Sequence, residues 1–215
     1  MPSQVLQMQH CRRYTVRNER TNLMESKDNP ALLIIDMVKD YLDPGRNLKI
    51  TPFARAIVDP IKRLAGAFRE NGWPVIFSTD AFKKDAFIFT GRMEPESLAG
   101  TEGAEVIDEL ERKEGDLWLP KPRFSAFFQT GLENYLRERE VTLCAVGGVA
   151  TPFCVLTTAI DAICHDFKSV IVGDCSAAIS EKIHKNTLDL YRRTVLYPLF
   201  RISSSSELLS DLKAN

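Results

Sequence analysis

Ala31-Leu-Leu-Ile-Ile35, closed by Asp36, is an unbroken run of five apolar residues ended by a single carboxylate. A strand with one wet face alternates apolar and polar residues. A continuous run of this length suits a strand covered on both faces, as in parallel sheets flanked by helices. Outward from it, short apolar runs alternate with amphipathic stretches. Asp59 to Asn71 reads as a helix, with Asp59 as N-cap, Pro60 at its first position, Ile61, Leu64 and Phe68 on one face, and Gly72 as its stop. Pro74 to Thr79 is a second strand, residues 80–102 a long loop, Thr101 to Leu110 a short helix, and Leu117 to Leu119 a third strand with Lys121 just past its end. A helical face carries Leu132 and Leu136, Val141 to Val146 forms a fourth strand entering Gly147-Gly148, and Val170 to Val172 a fifth. Ser180 caps a helix through Arg193, and Phe200 to Ile202 is a sixth strand. The fold expected over residues 30–215 is α/β, a three-layer α/β/α sandwich around a mostly parallel six-stranded sheet.

Charge narrows the partners. The chain has 28 basic and 29 acidic side chains, 44% hydrophobic and 27% charged residues. That balance speaks against a nucleic-acid surface and for small-molecule chemistry. Apolar runs stay far below the roughly 18 residues of a membrane span, so no membrane partner is expected. Five cysteines, Cys11, Cys144, Cys154, Cys164 and Cys175, show no paired spacing, and no secretory segment opens the chain. Free thiols in a reducing, cytoplasmic compartment are the expectation. Residues 1–29 are polar, with Arg12, Arg13, Arg17 and Arg20 among Glu19, Glu25 and Asp28, and read as an arm or extra helix outside the domain.

In open parallel sheets, ligands bind beyond the carboxyl ends of the strands, at the point where the winding reverses. Asp36, Lys121 and Cys154 all lie just past strand ends, and a Rossmann-like strand order brings them to one crevice. In Val146-Gly-Gly-Val-Ala-Thr-Pro-Phe-Cys154, the glycines release the strand, Thr151 is placed to cap a helix, Pro152 fits its first position, and Cys154 falls in its first turn. There the thiol would feel the positive end of the helix, and exposed backbone N–H groups would face a developing oxyanion. A lone cysteine in such a place is more often a small core residue. Asp36 as proton acceptor and Lys121 as the neighbouring cation make the functional reading the stronger one, because a nucleophilic thiol needs both.

Other thiol chemistries fit less well. Thr151-Pro-Phe-Cys154 has peroxiredoxin spacing, but Gly147 stands where that motif has proline. No Cys-x-x-Cys pair occurs, Ile160 replaces the arginine of a phosphatase loop, and a papain-like site would need His165 or His184 as partner without any recognisable context.

Four segments in order, Leu32-Leu-Ile-Ile-Asp36-Met, Lys121-Pro-Arg-Phe-Ser-Ala-Phe, Gly148-Val-Ala-Thr-Pro-Phe-Cys154-Val and Val170-Ile-Val-Gly-Asp174, resemble the isochorismatase-like hydrolases over about residues 30–205. That family includes nicotinamidases, ureidoacrylate and biuret amidohydrolases, and isochorismatases. The resemblance implies a catalytic triad of Asp36, Lys121 and Cys154 that cleaves a C–N bond through a covalent acyl-enzyme. It also implies a cis peptide between Val149 and Ala150, oxyanion donors at the backbone of Ala150 and Cys154, and a homo-oligomer, dimer or tetramer.

Departures from the family shape the substrate. Nicotinamidases carry metal-binding Asp and His residues around the second strand, whereas the histidines here are His10, His165 and His184, and Phe82 occupies the histidine's place. Neither a metal nor another cofactor is expected, and nicotinamide is disfavoured. Isochorismatases proper act on a vinyl ether and lack the cysteine, so Cys154 favours an amide, ureide or carbamate. Arg123 is a candidate for a substrate carboxylate or carbonyl, and equally for a surface ion pair. Phe82 and Phe128, with Phe87, Phe89 and Phe127, are divided between pocket and core. Glu94 and Glu96 read as solvated, and His165 and His184 as structural. The alternatives are vinyl ether hydrolysis or a catalytically silent scaffold of the same fold.

Overall fold

The computed structural model describes residues 27–214. The arm expected over residues 1–29 therefore lies outside the described residues except for its last three. Of these, Asp28 pairs with Lys168 at 2.7 Å, and Asn29 donates its backbone N–H to Thr142 Oγ1 at 2.9 Å.

Six strands form one sheet: β1 (Pro30–Ile35), β2 (Val75–Asp80), β3 (Leu117–Lys121), β4 (Leu143–Val149), β5 (Lys168–Ala177) and β6 (Phe200–Ser203). Their order is β3-β2-β1-β4-β5-β6, and every pair is parallel. The winding reverses between β1 and β4, so the carboxyl ends of these two neighbours border the crevice. The helices are α1 (Lys39–Leu42), α2 (Thr51–Ala56), α3 (Val58–Glu70), α4 (Leu132–Arg137), α5 (Leu156–Cys164), α6 (Glu181–Tyr191) and α7 (Ser205–Ala214).

The apolar run of β1 explains the layering. Leu32 and Ile34 point into one core with Ile61, Leu64 and Phe68 of α3 and Leu208 and Leu212 of α7. Leu33 and Ile35 point into the other, with Leu132 and Leu136 of α4, Ala159 of α5 and Leu188 of α6. Both faces are dry, which is why no polar residue interrupts the strand. Among the described residues, no helix is long and apolar enough to cross a membrane.

Local expectations shift in informative ways. Asp59 is not an N-cap, because α3 already begins at Val58 and follows α2 through Ile57, whose own backbone is helical. The stretch Thr101 to Leu110 is not one helix but two single 3-10 turns, Glu102–Ala104 and Asp108–Leu110. Gly72 does stop α3 with φ +72°, and Ser180 does cap α6 by accepting from the Ile183 N–H. Strand β2 is shifted one residue on from its expected span and β3 runs two residues longer, so they end on Asp80 and Lys121 themselves, in register with each other. Asp174 accepts from both the N–H and the hydroxyl of Ser205, so the carboxylate of the fourth matching segment anchors the start of α7.

Gly148 is where the two central strands meet most closely. Its φ is +115°, and a Cβ built there would lie 2.0 Å from the Ile35 carbonyl oxygen. No side chain fits between β1 and β4 at this level. Gly148→Ala is expected to destabilise the fold by about 2 kcal/mol or more, read as a fall in the midpoint of chemical denaturation; an unchanged midpoint would contradict the close approach.

Candidate active site

Three strands deliver their last residues to one buried cluster. Asp36 directly follows β1, Asp80 closes β2 and Lys121 closes β3. Asp36 is 1% exposed, Asp80 2% and Lys121 0%. The Lys121 ammonium donates to Asp36 Oδ2 at 2.9 Å and also to Asp80 Oδ1. Asp36 Oδ1 in turn accepts the Asp80 backbone N–H at 2.6 Å. Asp36 adopts left-handed backbone with φ +52°, a conformation few non-glycine residues take and one that tends to sit at functional sites. Tyr41 of α1 completes the set, its hydroxyl donating to Asp80 Oδ2 at 3.0 Å.

Cys154 reaches the cluster from β4. The strand leads through a cis peptide between Val149 and Ala150 into a π turn, Thr151–Val155, which continues as α5. Ala150 is the N-cap, and its carbonyl accepts the N–H groups of Phe153 and Val155 at 2.9 and 3.4 Å. Thr151 is therefore not the cap. Being already the first residue of the turn, it directs its hydroxyl to His184 Nδ1 at 2.8 Å instead. Cys154 is 6% exposed, and its sulfur lies within 4.8 Å of carboxylate oxygens of Asp36 and Asp80.

Electrostatics follows from burial. Ahead of the thiol, the cluster holds two carboxylates and one ammonium, which leaves one net negative charge in a dry place. Burial first, then the Asp80 charge, push the Asp36 carboxyl up to about 7 against the pull of Lys121. Burial disfavours the Lys121 ammonium, but Asp36, Cys154 and Asp80 outweigh it and hold its pKa above the ordinary lysine value. Burial, followed by Asp36 and Asp80, also lifts the Cys154 thiol well above its usual value. The pull of the helix end on the thiol expected from the sequence is therefore opposed here, because burial and the two carboxylates disfavour a second anion beside Asp36. The Tyr41 hydroxyl is raised for the same reasons, burial and then Asp80.

Asp36, Asp80 and Cys154 form the one group of potential metal ligands that converges among the described residues. Both carboxylates already bind the Lys121 ammonium, which stands where a cation would have to enter, and no imidazole joins them. Phe82, in the place of the nicotinamidase histidine, is fully buried and packs edge-on against Phe89 at 5.6 Å. These donors do not fit a bound metal.

The remaining candidates spread out. Phe82 offers no surface to solvent and Phe127 is buried, while Phe128 and Phe87 are exposed. Arg123 is half-buried and donates to the Pro122 carbonyl at 2.6 Å. His165 ends α5 and stacks on Phe127. Asp80 and Tyr41 were not foreseen. Asp80 had a signal, since it ends β2 as Asp36 ends β1, but a strand stopped at Thr79 hides it; Tyr41 had none.

The matching family model is the Isochorismatase domain, over residues 30–199. The chain belongs to the isochorismatase family. It is 34% identical over 174 residues to a probable inactive nicotinamidase of Arabidopsis thaliana, covering 75% of this chain and 88% of that one. It is 29% identical to the ureidoacrylate amidohydrolase RutB of Klebsiella pneumoniae, covering 68% of this chain and 72% of the relative. The solved N-carbamoylsarcosine amidase of Thermoplasma acidophilum superposes with a TM-score of 0.70 at 28% identity, over 82% of this chain and 96% of the other. Two of these relatives are named as an amidohydrolase and an amidase.

Two outcomes test the cluster. Lys121→Met, which leaves two buried carboxylates without their cation, is expected to cost about 3–5 kcal/mol in unfolding free energy near neutral pH, and a loss below about 1 kcal/mol would contradict the burial. Asp80→Asn removes a charge that raises Asp36, so the Asp36 carboxyl should titrate below about 7, as followed by carboxyl NMR. The linked effect on stability has a definite sign. Between the ordinary aspartate value of 3.8 and about 7 the folded protein keeps a proton on Asp36 that the unfolded chain has released. This contribution is complete below that window and is lost as pH rises through it.

Proposed function

We propose that this isochorismatase-family protein is a cysteine hydrolase that cleaves the C–N bond of a small amide, ureide or carbamate through a thioester at Cys154. The observation that carries the reading is the convergence of the Cys154 thiol and the Asp36 carboxylate beside a buried ammonium at the strand ends. The relatives support the substrate class, since two are named for acting on a ureido acid and an N-carbamoyl amino acid.

Asp36 is the general base and Cys154 the nucleophile. With its carboxyl near 7, Asp36 is poised to take the thiol proton at neutral pH. Proton transfer accompanies attack of sulfur on the substrate carbonyl, which avoids accumulating a second anion in the cluster. The tetrahedral oxyanion receives the backbone N–H groups of Ala150 and Cys154. Asp36 then returns its proton to the leaving nitrogen as the C–N bond breaks, giving a free amine and a thioester. Water, deprotonated by Asp36, attacks the thioester, releases the acid or carbamate and restores the thiol. Lys121 holds Asp36 in place and keeps its charged form accessible despite burial, while Asp80, itself fixed by Tyr41, holds Lys121.

Arg123 and Phe128 remain the residues assigned to the substrate, the first for a carboxylate or carbonyl, the second for an apolar flank. The protein is assigned to the cytoplasm, in keeping with the free thiols of Cys144, Cys154, Cys164 and Cys175. Assembly as a homodimer or tetramer belongs to the same reading, with exposed Leu190, Val195, Tyr197 and Leu199 offering apolar surface to a second copy.

The direct test is a screen of small amides, ureides and carbamates for ammonia or amine release. Wild type should turn over at least one of them, with Cys154→Ala and Asp36→Ala at least about a thousandfold slower. Equal turnover in all three rejects the mechanism. No turnover across the panel, with Cys154 slow toward iodoacetamide, would instead mark a catalytically silent member.

A further inference from the structure

One buried polar contact beside the cluster has no part in the chemistry above. Thr151 is fully buried, and its hydroxyl is hydrogen-bonded to His184 Nδ1 at 2.8 Å. The two residues belong to different elements. Thr151 opens the π turn that carries Cys154, and His184 sits in the first turns of α6, its own N–H donating to the Ser180 carbonyl at 3.1 Å.

The turn needs such an anchor. The ladder between β4 and β5 shifts register between Val146 and Gly148, so past this irregularity the strand leading into the turn is held to β5 by two residue pairs, Gly148 with Ser176 and Val149 with Ala177. Beyond Val149 the backbone leaves the sheet altogether, and within the turn the Phe153 and Val155 N–H groups bond to the Ala150 carbonyl. The Thr151 to His184 hydrogen bond ties this segment sideways to α6, which a side-chain cap firmly starts. Burial lowers the His184 imidazole below its ordinary value, with Glu181 opposing and Lys185 assisting, so the ring facing Thr151 is neutral at physiological pH. A neutral ring with one fixed partner holds direction as well as distance.

We propose that His184 is a positioning residue that acts through Thr151: it fixes the turn presenting the Ala150 and Cys154 backbone N–H groups, and so governs acyl transfer to Cys154 without touching the thiol. This rests on the cysteine hydrolase reading. A displacement of the turn by a fraction of an ångström misaims the donors at the oxyanion while leaving the sulfur and Asp36 in contact.

Two reagents separate these effects. Para-nitrophenyl acetate acylates the thiol through a tetrahedral oxyanion: the carbon–sulfur bond forms, para-nitrophenolate leaves, and the thiol proton passes to Asp36. Iodoacetamide alkylates the same sulfur by direct displacement of iodide, with no oxyanion at all. His184→Leu and Thr151→Val are each expected to slow acylation about tenfold or more while alkylation stays within about twofold. His184→Asn, whose amide nitrogen or oxygen occupies the Nδ1 position, should restore most of the acylation rate, and His184→Gln, which mimics Nε2, should not.

Unchanged acylation in folded His184→Leu, or acylation and alkylation falling together in Thr151→Val, overturns the proposal. Should His184→Leu fail to fold, the Asn and Gln pair decides, and equal acylation in the two overturns it. Failure of the underlying reading looks different. Wild type that is not acylated, or Cys154→Ala that is acylated as fast as wild type, removes the nucleophile itself, whatever His184 does.

Discussion

A single ammonium held between two buried carboxylates sets the character of this protein. Lys121 is fully buried, and it stays charged there because Asp36 and Asp80 both bind it. Three charges out of water are costly, and their mutual attraction offsets that cost only when the hydrogen bonds are complete. The structure completes them: Asp36 accepts the Asp80 N–H, and Asp80 accepts the Tyr41 hydroxyl. Burial, reinforced by the carboxylate charges, disfavours an anion on the Cys154 sulfur and, together with the Asp80 charge, raises the Asp36 carboxyl to about 7, the range of a base that works at neutral pH.

The fold exists, in functional terms, to bring these ends together. Parallel strands share a direction, so their carboxyl ends lie on one edge, and the order β3-β2-β1-β4 places the four contributing ends side by side. Glycine at position 148 lets β4 pass close to β1, and the turn beyond it swings the thiol back over the strand ends. The dry faces on either side of β1 exclude water from the cluster and make each of its electrostatic terms large.

Strand and helix placement was legible because burial on two faces leaves a continuous apolar run and burial on one face leaves a 3.6-residue period. Errors fell where local signals compete. Asp59-Pro60 looks like a helix start, yet the preceding residues are already helical because Ile57 and Val58 pack against the core. Thr151-Pro152 looks like a cap, yet the cap lies one residue earlier and the threonine bonds across to another helix. Neither alternative can be ranked from neighbouring residues alone, since the deciding partner is distant in the chain.

The sequence by itself determined that the chain is a covered parallel sheet and that Asp36, Lys121 and Cys154 stand at strand ends, because hydrophobic period and strand termini are local properties. Only the tertiary structure decided the charge balance among them. Asp80, Tyr41 and His184 enter through contacts between residues 33 to 41 positions apart. A thiol looks activated when only its helix is considered, whereas burial and the two carboxylates beside it disfavour its anion. Electrostatic energy in a dry site depends on distances between side chains, and those distances exist only after the strands have paired.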